Sequence, residues 1–244
     1  MFKYSKNDVY KTRTFLYNYN QKNYRLVRVK SCRLPGFEDI KKNNFVDVNS
    51  EEVKRCSLSR TRRNIRELAL CNNFEYFCTF TVNSQMADRY SLDEVQAKIR
   101  KVLHKIKRKN KDFAFLIITE KHKDGAFHFH GLCKGINDLF TNLNGYLCSD
   151  IFSRELGYNS FSAIKSYEKC CNYITKYITK DCIKNSHNQI YFCSRGLKRA
   201  DKVEIEDIDF NFSFENEYCQ ILDFDITKIS REDLMKYCQI KEVK

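Results

Sequence analysis

Apolar positions recur along the central part of the chain with two different periods, and each period predicts its own element. In Phe74 to Val82, FEYFCTFTV, the residues Phe77, Thr79 and Thr81 alternate against Cys78, Phe80 and Val82, the period-two pattern of a strand. Its length and apolar content predict a central strand. From Leu92 to Lys107 the spacing lengthens. Val95, Ile99, Leu103 and Ile106 share a helical face, behind Ser91 and with Glu94 three residues on, the residues of a capping box. Phe113 to Glu120 is again strand-like, rich in β-branched and aromatic residues. Ala126 to Leu132 follows across Asp124-Gly125, where glycine is free to take a positive φ and close a hairpin. Strand, helix, strand, strand is the first half of a ferredoxin-like, split βαβ arrangement. The expected fold class is therefore α+β, a central antiparallel sheet with helices packed on it.

Outside this centre the pattern is weaker. Residues 1–50 hold short β-like runs, Thr14 to Tyr17 and Tyr24 to Val29, and predict a β-rich N-terminal appendage. Ser50 to Leu70 is helical and basic. Residues 134–162 read as loop-rich, with a short helix over Asn137 to Leu143. Glu204 to Asp225 intersperses acids with Phe, Ile and Tyr, and Ser230 caps a short closing helix to Ile240. These shifts divide the chain into 1–50, a main domain over 51–200 and an acidic C-terminal extension over 201–244.

The hairpin carries the first candidate chemistry. His128 and His130 lie two apart on a strand, so both imidazoles point to one face and Phe129 to the other. A two-residue loop would put Glu120 on the wrong face. A three-residue loop, Lys123 to Gly125, pairs His122 with Ala126 and sets Glu120 opposite His128. Glu120, His128 and His130 then converge, and two imidazoles with one carboxylate leave positions open on a divalent ion that activates a substrate. His122, at the turn, is the weaker candidate.

Charge narrows the partner. The 244 residues carry a formal net charge of +13, which points to a polyanion, most simply nucleic acid. Candidate phosphate contacts are Arg60, Arg62, Arg63 and Arg66 on the first helix and Lys98, Lys101 and Lys105 on the second, beside Lys107. The 12 cysteines include no C-x-x-C pair, so they read as reduced cytosolic thiols rather than as a zinc site. No apolar run is long enough to cross a membrane, and the expected location is the cytoplasm.

The second chemical stretch is NYITKYITK, residues 172–180. Tyr173 and Tyr177 are four apart, hence one turn apart on a helix, with Lys176 and Lys180 in a parallel row and Ile174 and Ile178 turned to anchor it. A tyrosyl oxygen can attack phosphorus when a metal polarises the phosphate and a nearby lysine favours the phenolate.

Glu120, His128 and His130, followed by Y-I-T-K-Y-I-T-K, resemble the motifs of the HUH endonuclease family, in particular rolling-circle replication initiators of bacterial plasmids and small phages. Phe77 to Val82 resembles the family's first motif, HKDGAFHFHGL its metal motif and NYITKYITKD its nucleophile motif; the likeness spans roughly Ile65 to Leu197. It implies an HUH endonuclease fold over the main domain and a site-specific nick in single-stranded DNA at a replication origin. Mg or Mn would be held by Glu120, His128 and His130. Tyr173 or Tyr177 would attack, leaving a 5′-phosphotyrosine and a free 3′-OH, and the ends would later be rejoined. Adjacent duplex, a host helicase and a host polymerase are the implied partners, in a bacterial cytoplasm. Two other readings stand beside it: an HUH transposase or relaxase with the same site, and a non-catalytic DNA-binding module.

Overall fold

The structure is a computed structural model. It describes residues 10–20, 23–33, 51–137, 139–143, 146–178, 190–205 and 219–225. Lys180 and the closing helix expected over Ser230 to Ile240 lie outside the described residues. The chain divides into two compact units, one of Asp47–Lys198 and one of Met1–Val46 with Arg199–Lys244.

The second of these is a 4-stranded antiparallel sheet. Strands β1 (Tyr10–Asn18) and β2 (Asn23–Arg33) form a hairpin. Two strands from the other end of the chain, β10 (Asp201–Ile205) and β11 (Cys219–Asp225), flank it in the order β10-β1-β2-β11.

The Asp47–Lys198 unit is α+β. Its helices are α1 (Glu51–Leu70), α2 (Leu92–Lys109), α3 (Asp150–Glu155) and α4 (Tyr167–Tyr173). Its strands are β3 (Tyr76–Val82), β4 (Ala114–Lys121), β5 (Phe127–Lys134), β6 (Thr141–Leu143), β7 (Tyr146–Cys148), β8 (Gly157–Ala163) and β9 (Tyr191–Cys193). They form a 7-stranded antiparallel sheet in the order β6-β7-β8-β3-β5-β4-β9. Strands β3 and β4 both run antiparallel to β5 and lie on either side of it, and α2 connects them in the chain.

Alternation decides which residues are interior. Phe80, Ile117, Phe129 and Phe161 from four strands are buried in one cluster with Val95, Ile99, Val102, Leu103 and Ile106 of α2. The helical face read from the sequence is therefore the buried one. The capping box is not formed: Ser91 makes no side-chain cap bond, and Glu94 accepts a hydrogen bond from the Asp88 N–H at 3.1 Å instead.

Two other expectations are corrected. Over Asn137 to Leu143 the described residues form a turn and then strand β6, not a helix. The region 147–163 is not loop but strand, helix and strand. Its second strand, GYNSFSA, has few apolar residues, and the buried Asn159 organises it. That amide accepts from the Ser149 N–H at 2.7 Å and donates to Ser153 Oγ at 2.9 Å, satisfying buried polar groups that apolar side chains could not.

Gly131 in β5 is required by close packing. A Cβ there would collide with Ile117 Cδ1 and stand 2.6 Å from the Leu116 carbonyl oxygen, which belongs to the neighbouring ladder and cannot yield. Gly131→Ala is expected to cost about 2 kcal/mol or more, lowering Tm by roughly 5 °C. A thermal melt followed by circular dichroism checks this.

Candidate active site

The turn between β4 and β5 has the three-residue register. The Gly125 N–H donates to the His122 carbonyl at 3.0 Å, the His122 N–H to the Ala126 carbonyl at 2.9 Å, and Glu120 is paired with His128. Gly125 takes φ +92°, and the Asp124 carboxylate accepts from the Ala126 N–H at 3.0 Å. That bond holds the Asp124 carboxyl below its ordinary value. Local turn chemistry thus sets which side chains share a face.

On that face Glu120 Oε2 lies 2.8 Å from His130 Nε2 and 3.6 Å from His122 Nε2. The ligand atoms of Glu120, His122 and His130 all fall within 4.8 Å of one another. A carboxylate oxygen and two imidazole nitrogens at that spacing are a donor set that fits a divalent ion. His128 stands just outside this group, its ring stacked on that of His122 with centroids 3.7 Å apart. The imidazole nearest Glu120 after His130 is therefore His122, which the sequence ranks lower. Its signal was present, since Glu120 and His122 are two apart on one strand and must share a face.

Strand β3 orients both strand histidines. Thr79 is paired with His130 and Thr81 with His128. Thr79 Oγ1 is 3.3 Å from His130 Nδ1, and Thr81 Oγ1 is 3.2 Å from His128 Nδ1. A hydroxyl that accepts from Nδ1–H leaves Nε2 with its lone pair for a cation. Burial holds both imidazoles below their ordinary pKa, for His130 against the opposing pull of Glu120. Neutral imidazole is the ligating form.

The tyrosine segment lies against this cluster. Helix α4 stops at Tyr173, and Ile174–Tyr177 continues as one 3-10 turn, so the single α-helix expected from the Y-I-T-K repeat is corrected to a helix with a tightened end. The two phenols remain neighbours, with ring centroids 5.4 Å apart. Tyr177 stacks on His130 at 4.0 Å and 14°. Tyr173 is more open, 45% exposed, with Lys176 Nζ 5.0 Å from its ring. Ile174 and Ile178 are fully buried and anchor the segment, as their spacing predicted. Burial, a hydrogen bond with Tyr173 and the negative charge of Glu120 raise the Tyr177 pKa, so this phenol is held protonated until positive charge is brought beside it.

Two of the arginines expected at a DNA surface are engaged here. Arg62 donates to the Ile178 carbonyl at 2.7 Å, and Arg66 Nε to Asn172 Oδ1 at 3.1 Å. They grip the two ends of the tyrosine segment. Tyr167 adds a third tie, its hydroxyl accepting from the Phe74 N–H at 3.0 Å and donating to the Ala69 carbonyl at 2.5 Å. Arg60 is exposed and Arg63 partly so. On α2, Lys98 donates to the Met86 carbonyl at 2.6 Å, Lys105 pairs with Glu155, and Lys101 is exposed.

Residues 75–182 match the family of replication-associated proteins of the ORF2 and gene II protein type. The match begins at β3 and ends just beyond the tyrosine segment, so it contains the whole cluster, and it supports a replication initiator of the Rep type. No curated protein and no solved structure matches the chain. Among the described residues no helix is long and apolar enough to cross a membrane.

Proposed function

We propose that this chain is a replication initiator with an HUH endonuclease fold that nicks single-stranded DNA at an origin and later rejoins the ends. The observation that carries the reading is the stacking of Tyr177 on His130 beside Glu120, which brings phenol oxygens and a cation-binding donor set to one place. Glu120 and His130 would hold Mg or Mn with an imidazole from the stacked His122–His128 pair. The Thr81 contact favours His128, because it treats that ring as Thr79 treats His130. When bound, the ion supplies positive charge that polarises a scissile phosphate.

The remaining work falls to the protein. Arg62 and Arg66 hold the tyrosine segment so that a phenol faces the phosphorus, which is the positioning that such a displacement needs. A tyrosyl oxygen forms the new O–P bond, and its proton passes to solvent. The P–O3′ bond breaks, and the departing 3′ oxygen takes up a proton, leaving a 5′-phosphotyrosine and a 3′-OH. Lys176 favours the anionic phenol of Tyr173. The second phenol is placed for the reverse step, in which the free 3′-OH displaces tyrosine. Arg60, Arg63 and Lys101 remain candidates for phosphate contacts, as do the engaged lysines Lys98 and Lys105 at their edges. Lys180 continues the basic row of the segment.

The test uses single-stranded oligonucleotides tiling the DNA molecule that encodes the chain, incubated with the protein and Mg or Mn. A covalent adduct resistant to denaturant is expected on one sequence, with the phosphate mapped to Tyr173 or Tyr177. The Tyr173→Phe, Tyr177→Phe double variant should form none. An adduct retained by that variant would overturn the assignment.

A further inference from the structure

The face of the sheet opposite the histidine cluster carries a second feature. Phe115 is five residues from Glu120 on β4, hence on the other face. Phe192 is paired with Ile117, so it shares Phe115's side. Between this edge of the sheet and α2 lies a cavity of about 670 Å³, within the range of small-ligand sites. Arg100, His104 and Lys107, spaced as one stripe of α2, form one wall, and Arg195 stands on the other beside Phe115 and Phe192.

The lining holds cations and aromatic rings but no carboxylate. The Arg100 guanidinium lies 5.3 Å from the centre of the Phe192 ring, a flat cationic surface backed by an aromatic one. The edge strand is fixed in place, because Ser194 donates its N–H to the Phe115 carbonyl at 2.9 Å and its Oγ accepts from the Phe115 N–H at 3.0 Å. Cations that meet a phosphate without a competing acid, next to a planar surface that stacks a base, are what a nucleotide requires.

We propose that this cavity is a second binding site, for one nucleotide unit, with the phosphate met by Lys107 and Arg195 and the base laid against the Arg100–Phe192 pair. The unit can belong to a DNA strand or be a free nucleotide; the chemistry is shared. The inference stands on the lining of the cavity and not on the chemistry of the opposite face.

The test irradiates the intact protein with a 5′-phosphorylated trinucleotide carrying a central 5-iododeoxyuridine, and maps the crosslinks by mass spectrometry. Crosslinks are expected within residues 100–107 or 191–195. Lys107→Ala and Arg195→Ala should each weaken labelling there by about tenfold, the loss of one charge-assisted phosphate contact, in proteins whose thermal melts match the parent. Competition by dTMP as effective as by unlabelled trinucleotide supports a free-nucleotide site; competition by the trinucleotide alone supports a strand. Inorganic phosphate competing as well as dTMP overturns the nucleotide assignment. So do crosslinks confined to 120–130 and 173–177, or labelling unchanged in both variants. A protein that forms the tyrosine adduct without labelling the cavity loses this inference alone. One that labels the cavity but forms no adduct loses the nicking reading alone.

Discussion

Glu120→Ala is expected to reduce metal-dependent nicking by roughly a thousandfold. The carboxylate is the anionic member of the donor set, 2.8 Å from His130 Nε2, and without it two neutral imidazoles must hold a dication. Metal polarisation of a phosphate contributes several kcal/mol to such a step, and each 1.36 kcal/mol is about a tenfold change in rate. Two measurements check this: single-turnover cleavage of a single-stranded substrate, and Mn titration by calorimetry. Both should fall together, while salt-sensitive DNA binding, which rests on basic side chains elsewhere, stays close to the parent. Cleavage at the parental rate without detectable metal binding would remove the ion from the mechanism. The same titration separates the stacked imidazoles. His128→Ala is expected to weaken Mn more than His122→Ala, because Thr81 holds the His128 ring on an interior strand while the His122 side chain is 44% exposed at the turn.

The largest stability effect is expected at Phe129→Ala. This ring sits between the two histidines in sequence but on the reverse side of the strand, fully buried with Phe80, Ile99 and Phe192. Its centroid is 6.2 Å from that of Phe192 in an edge-to-face arrangement. Truncation removes a large buried side chain and leaves a cavity that β5, held on both sides, cannot close. A loss of about 3–5 kcal/mol follows, corresponding to a fall in Tm of roughly 10 °C. Urea denaturation followed by tyrosine fluorescence checks it. A change below about 1 kcal/mol would mean that the interior is not packed as described.

The hairpin and its register were legible in the sequence because they depend on local chemistry. Asp124-Gly125 fixes the turn, the turn fixes the pairing, and the pairing sets Glu120 opposite His128. The buried stripe of α2 was equally legible from its spacing. What remained hidden depends on contacts between distant parts of the chain. Arg62 and Arg66 look like any basic helix surface until Ile178 and Asn172, more than a hundred positions away, are brought against them. Strand β8 escaped notice because its inward residues include Asn159, whose amide bonds replace the apolar signal. The three-residue β9 is too short to show a period, yet its pairing with β4 creates the edge on which the basic cavity lies. The resemblance to HUH initiators supplied the roles of the motifs, and the geometry supplied the neighbours, Thr79, Thr81 and His122, that the motifs do not mention.

Strand β5 is bordered by a partner on each flank, and this sets a limit on how the protein can vary. Inserting or deleting a single residue within Phe127–Lys134 would invert its two surfaces, thrusting both imidazoles into hydrocarbon and delivering Phe129 to the cation. Two ladders would have to break to relieve the error. Length changes should therefore be tolerated in the connections around this strand and not inside it, and a single-codon insertion after Phe127 should produce insoluble protein rather than a folded, inactive one.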